Sequence, residues 1–164
     1  SRGLGDVYKR QEVGISLVED EMIDISRKLL DTNKIILPKN VYVANSTQDN
    51  SAELVPVQDV NKNKMILDIE LSEEVRSISN HNYIIWNGPL GIFEIEQFSN
   101  GTKQLINFLE NSSSNVIAGG GETIYAISKF SDIKKFNYVS TAGGAFLEYL
   151  SGHRLPSIEA LRLK

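Results

Sequence analysis

The sequence predicts an α/β fold, a doubly wound, mostly parallel sheet with helices on both faces in a Rossmann-like arrangement. Three observations lead there. Short apolar runs at Tyr83–Trp86, Val116–Gly119 and Tyr138–Thr141 each end in or run into a glycine cluster. Helical apolar patterns lie between and after them. The runs do not alternate strictly between apolar and polar residues, as expected of strands covered on both faces of a parallel sheet. In such sheets ligands bind outside the carboxyl ends of the strands, and the glycines stand at those ends.

Taken in order, Ser1–Gln11 has no period and is rich in glycine and basic residues. It reads as an extension or cloning artefact outside the fold, leaving residues 12–164 as the domain. Ser16–Leu30 reads as a helix, opened by a capping box of Ser16 and Glu19. Val18, Met22, Ile25 and Leu29 fall on one face of it. Lys34–Pro38 and Val41–Asn45 read as strands, as do Leu54–Val57 and Met65–Ile69. Leu71–Ser79 reads as a helix. After the run at Tyr83, one helical pattern takes Phe98, Leu105, Phe108 and Leu109. A second takes Ile124, Ile127 and Phe130, and a third takes Phe146, Leu147 and Leu150. Met65, Trp86 and Phe93 are expected in the core, and His81 and His153 in solvent.

Composition narrows the function. The 164 residues suit one domain, and 41% hydrophobic with 23% charged residues is a globular balance. A net charge of −4 gives no general attraction to nucleic acid or to an anionic membrane. Cysteine is absent, which excludes disulfides and thiolate chemistry and agrees with a cytoplasmic setting. The two histidines lack metal-ligand spacing. No apolar run is long enough to span a bilayer, and no signal peptide is visible.

Three glycine-bearing turns carry the chemistry. In Gly119–Thr123 a strand passes into a helix. Glycines let backbone approach a ligand, and the helix start offers free N–H groups to a phosphate. Thr123 adds a hydroxyl, and Glu122 a carboxylate able to hold magnesium. A tight strand-to-helix turn is the alternative reading, since the motif is neither a Walker A loop nor a G-x-G-x-x-G fingerprint. Ser140–Ala145 repeats the arrangement with Gly143 and Gly144. Trp86–Glu94 is a loop shaped by two glycines and a proline. There Asn87 offers donors and an acceptor. Glu94 offers a carboxylate for ribose hydroxyls, or is simply a surface residue. No nucleophile–base pair is present, and phosphoryl transfer does not need one.

Taken together these segments resemble the phosphoglycerate kinase family. YIIWNGPLGIFEIEQFSNGTKQL is similar to its WNGP-x-G-x-FE segment. AGGGETIYAI is similar to its GGGDT turn, and YVSTAGGAFLEYLSGHRLPSIEAL to its C-terminal ending. VGISLVEDEMIDIS and IILPKNVYVAN resemble the preceding helix and strands. The resemblance implies the C-terminal, nucleotide-binding domain of an enzyme that moves phosphate reversibly from 1,3-bisphosphoglycerate to ADP, giving ATP and 3-phosphoglycerate in glycolysis. It further implies that Gly120, Gly121 and Thr123 contact nucleotide phosphates and that Glu122 stands at the family's magnesium-side aspartate. Glu94 would bind ribose, and Asn87 and Pro89 would line the nucleotide cleft. Gly143 and Gly144 would face the transferring phosphoryl group. Ser140 and Thr141 would lie near an interdomain hinge.

Departures from the family pattern are Glu122 for aspartate, Ala142 for glycine, Glu70-Leu71 for Gly-Pro and Ser157 for glycine. The resemblance also implies a missing N-terminal domain with its basic phosphoglycerate site, and a sheet incomplete at its N-terminal side. The whole enzyme is expected to be a monomer with small-molecule substrates, MgADP or MgATP among them, and no nucleic-acid or membrane partner. The isolated chain is expected to be inactive. Two rival readings remain, a non-catalytic nucleotide- or phosphate-binding α/β module and an inactive interaction domain.

Overall fold

The structure, a computed structural model, describes residues 14–16 and 20–162. The expected extension at residues 1–11, and Val18 and Glu19 of the expected first helix, lie outside the described residues. The chain divides into two units. One takes the described residues up to Ile78 together with Leu90–Leu105, and the other takes Ser79–Pro89 and the described residues from Ile106 onward.

In the first unit, a 3-10 turn at Asp20–Met22 leads into helix α1, Ile23–Leu30. The helix therefore starts later than the sequence suggested. Gly14 bridges Met65 instead, and the Ser16 hydroxyl accepts from the backbone N–H of Ile66 at 2.9 Å. Asn33, at φ 54°, ends the turn that follows α1. Met22, Ile25 and Leu29 do share a face of this segment, but they are exposed.

Strands β1 (Asn40–Ala44), β2 (Glu53–Pro56) and β3 (Met65–Ile69) form an antiparallel sheet in the order β2-β1-β3. The expected strand at Lys34–Pro38 is irregular, with Ile35 and Ile36 exposed. Val41 and Val43 of β1 point one way and pack with Val57 and Val60. Ala44 belongs to a second cluster, with Leu67 and Phe98. This is the period-two alternation of a strand buried on both sides.

Strand β3 breaks that period. Val43 lies opposite Ile66 and Tyr42 opposite Asp68, so Leu67 is an extra residue, a β-bulge. Leu67 and Asp68, neighbours in sequence, consequently serve the same side of the sheet. Leu67 packs with Phe98, and Asp68 accepts from Gly101 N–H at 2.8 Å. Beyond the sheet, a single turn of helix α2, Glu73–Arg76, begins at Ser72, whose hydroxyl accepts from Val75 N–H. A 3-10 turn, Ser77–Asn80, completes the expected Leu71–Ser79 helix.

The second unit holds the predicted parallel sheet. Strands β4 (Tyr83–Asn87), β5 (Asn115–Gly119) and β6 (Tyr138–Ser140) run parallel in the order β4-β5-β6. Helix α3, Asn100–Glu110, connects β4 to β5, and the division between units falls within it. Helix α4, Gly121–Phe130, connects β5 to β6, and α5 (Gly143–Leu150) and α6 (Pro156–Arg162) follow. Ile84, Trp86, Val116, Ala118, Ala126, Ile127 and Phe136 are buried here. The Trp86 and Phe136 rings meet at 5.9 Å and 41°, a tilted pairing favoured by the ring quadrupoles. Strand β4 alternates in burial although its sequence does not alternate in polarity, since Tyr83 and Ile85 are exposed.

Asp68 is 1% exposed. Burial pushes its carboxyl up from 3.8 to about 6, while hydrogen bonds from the Gly101, Ile69 and Asn100 backbone oppose the shift. The folded state therefore holds this proton more tightly than the unfolded chain. The contribution of Asp68 to stability is greatest below its unfolded value and falls as pH rises from there to about 6. Denaturant midpoints measured across that range should show this decline, and Asp68→Asn should flatten it.

Candidate functional site

Parallel pairing decides where the predicted residues meet. Asn87 lies opposite Gly119 in the β4–β5 register, and Gly119 lies opposite Ser140 in the β5–β6 register. Parallel strands end on the same edge. The three turns singled out in the sequence, after Asn87, Gly119 and Ser140, thus leave the sheet side by side. Pro89, Gly120, Gly121, Glu122, Thr123, Gly143 and Gly144 follow directly from these strand ends.

The turns are tied to one another. Gly88 N–H donates to the Thr123 hydroxyl at 2.8 Å, and Gly120 N–H donates to the Ser140 carbonyl at 3.1 Å. The Trp86 indole N–H donates to the Gly88 carbonyl at 2.7 Å. Thr123 is buried, so its hydroxyl acts as a brace between the first and second turns.

The glycines divide by what they do. Gly88 and Gly120 have φ of 96° and 98°, backbone that side-chain-bearing residues rarely adopt. A methyl group on Gly143 would come within 3.0 Å of the Gly120 Cα, and one on Gly119 within 2.5 Å of the Phe146 ring. Gly121 and Gly144 meet nothing within 4 Å of such a methyl. Local packing does not require glycine at either place, and each lies in the first turn of a helix whose leading N–H groups lack intrahelical partners. That is a surface able to take an anion.

Glu122 is exposed in the first turn of α4. The residues Asn87–Pro89, Gly119–Thr123 and Ser140–Gly144 include no lysine or arginine, and Glu122 is their one charged side chain. Among the described residues no group of three or more histidine, aspartate or glutamate side chains could by itself hold a metal ion. One carboxylate beside an anion-binding helix start nevertheless suits magnesium, which takes most of its ligands from water and substrate phosphates. His81 and His153 are exposed, as expected.

Glu94 belongs to the other unit, where it is exposed next to the buried Phe93. The segment that carries it starts at Gly91 and closes at Gly101. Two residues missed in the sequence hold the ends of this segment. Thr102, fully buried, accepts from Leu90 N–H at 2.8 Å and donates to the Leu90 carbonyl at 2.6 Å. Asp68 takes the Gly101 N–H. The one available signal was an acidic residue inside an otherwise apolar strand.

Thr123→Val preserves shape and removes the acceptor for Gly88 N–H. It should cost about 1–3 kcal/mol in stability, measurable as a shift in denaturant midpoint. Thr123→Ser, which restores the hydroxyl, should recover most of it.

Comparison with known proteins bears on the family and the fold. The sequence model of the phosphoglycerate kinase family matches residues 6–153, a span that includes all three turns. The phosphoglycerate kinase of Psychrobacter sp. (strain PRwf-1) is 41% identical over 163 residues, covering 91% of this chain and 40% of that protein. The phosphoglycerate kinase of Aquifex aeolicus is 41% identical over 158 residues, covering 90% and 39%. The solved phosphoglycerate kinase of Coxiella burnetii superposes with a TM-score of 0.89 at 35% identity, over 96% of this chain and 43% of that one. The enzyme from Pyrococcus horikoshii gives 0.83 at 26% identity, over 98% and 43%. The chain thus spans about two fifths of the length of the curated relatives it matches. With the family match extending over most of its length, this chain belongs to the phosphoglycerate kinase family.

Proposed function

We propose that residues 12–164 supply the nucleotide-binding side of a phosphoglycerate kinase, which exchanges a phosphoryl group between 1,3-bisphosphoglycerate and ADP. The observation that carries this reading is the shared edge of β4, β5 and β6, where two helix starts present glycines with open space above them. In this reading the backbone at Gly120 and Gly121 receives the nucleotide phosphates, and Thr123 holds that turn against Gly88. Asn87 and Pro89 line the nucleotide cleft, and Glu94 takes the ribose hydroxyls. Gly143 and Gly144, at the start of α5, face the phosphoryl group in transit.

Such a site works by position and charge rather than by a nucleophilic side chain. The N–H groups at the helix starts stabilise phosphate oxygens without having to reorganise. Magnesium, when bound with the nucleotide, neutralises charge on those oxygens, and Glu122 is the side chain of this site able to reach it. Glutamate is one methylene longer than the aspartate usual in the family, so its carboxylate stands farther out from the turn. The three turns bring no cation. The positive charge that the transferring group requires therefore comes from the remainder of the enzyme, which also binds phosphoglycerate. We place the complete protein in the cytoplasm as a monomer. Among the described residues no helix is long and apolar enough to cross a membrane.

Titration of this chain with MgADP, followed by the fluorescence of Trp86, tests the reading. A saturable change is expected, because the Trp86 indole is bonded to the turn that follows Asn87. Gly121→Ala, whose added methyl group meets nothing within 4 Å, should weaken binding about tenfold or more. Absence of any change in a chain shown to be folded by circular dichroism would overturn the assignment of nucleotide binding to these turns. In a coupled assay with 1,3-bisphosphoglycerate and ADP, the chain alone should show no turnover above background.

A further inference from the structure

The segment between Gly91 and Gly101 lies at both ends against one carboxylate, which is hydrogen-bonded to its Gly101 end. Asp68 Oδ2 accepts from Gly101 N–H at 2.8 Å, and Oδ1 accepts from Ile69 N–H at 2.9 Å. A methyl group on Gly91 would come within 2.3 Å of Oδ1, and one on Gly101 within 2.6 Å. Both glycines therefore lie directly against the carboxylate. Gly91 also has a φ of 63°, which favours glycine a second time. Ile92 N–H donates to the carbonyl of Leu67, the residue before Asp68, at 2.9 Å.

A second anchor stands beside the first. Tyr42 is the register partner of Asp68 on β1, and its hydroxyl accepts from the side-chain amide of Asn100, next to Gly101. Between these fixed ends Phe93 and Phe98 are buried, at 2% and 0% exposure. Glu94 is the exposed acid immediately after Phe93. Packing of this kind leaves a short segment few conformations, so the contacts that Asp68 and its neighbours make with its ends also fix Glu94.

We propose that Asp68 is a positioning residue for nucleotide binding, holding the Gly91–Gly101 segment so that Glu94 is placed to receive the ribose. The inference rests on the nucleotide-binding reading above and adds a residue that touches no ligand. Its chemistry is specific. A carboxylate accepts from two N–H groups at once, whereas the amide of asparagine has only one accepting atom. Asp68→Asn therefore sets a donor against one of the two N–H groups, with little change in volume.

The test compares two ligands by Trp86 fluorescence, MgADP and magnesium pyrophosphate, which has phosphates and no ribose. Asp68→Asn should weaken MgADP about tenfold, the effect of one lost charge-assisted hydrogen bond's worth of order, and leave pyrophosphate unchanged. Asp68→Asn combined with Glu94→Ala should bind MgADP no more weakly than Glu94→Ala alone. Gly91→Ala, which crowds the carboxylate from the other end of the segment, should show the same selectivity and decides the matter if Asp68→Asn does not fold. Equal weakening of both ligands would mean a purely structural role and would overturn the inference, as would unchanged MgADP binding or additive loss in the double variant. Failure of the unsubstituted chain to bind either ligand would overturn the functional reading, and this inference with it.

Discussion

Parallel pairing is the constraint on which the candidate site depends. An antiparallel sheet alternates its strand ends between two edges, so three turns following three strands would be split between them. In the order β4-β5-β6 every strand finishes on one edge, and every connection must return by a helix. The carboxyl end of the sheet thereby collects Asn87, Gly119 and Ser140 in register. It also collects the starts of α4 and α5, where backbone N–H groups have no partners of their own. A phosphate-accepting surface is the direct product of this topology, before any side chain is considered.

Side chains then make the surface rigid. The brace from Gly88 to Thr123, the bond from Gly120 to Ser140 and the indole bond of Trp86 each join two parts of the edge. All three use backbone groups of glycine. Glycine has no side chain with which to hold its own place, and here its conformational freedom is removed from outside. The cost of ordering glycine-rich backbone is thus met in folding rather than on binding a ligand.

Much of this edge was legible in the sequence, because each part announced itself locally. An apolar run followed by glycines and then a helical period describes a strand, a turn and a helix start within some fifteen residues. Three positive-φ glycines, Gly88, Gly91 and Gly120, sat inside the turns that were singled out. What could not be read was non-local. Ser16 looked like a helix cap because Glu19 stands three residues on, yet its hydroxyl bonds to Ile66, fifty positions away. Lys34–Pro38 had the composition of a strand, yet it pairs with no strand among the described residues. Asp68 was read only as part of an apolar strand. The bulge at Leu67 turns it toward Gly91 and Gly101, a relation that strict alternation would have denied.

The near contact of Gly143 with Gly120 has an evolutionary consequence. A methyl group at position 143 would press within 3.0 Å of the Gly120 Cα, so the turn at Gly143 can change only if the turn at Gly120 gives way. Gly120 cannot readily give way, since its φ of 98° is itself confined to glycine. The two positions, 23 apart in sequence, therefore constrain each other across generations as one unit. Variation on this edge is left to exposed neighbours such as Ala142.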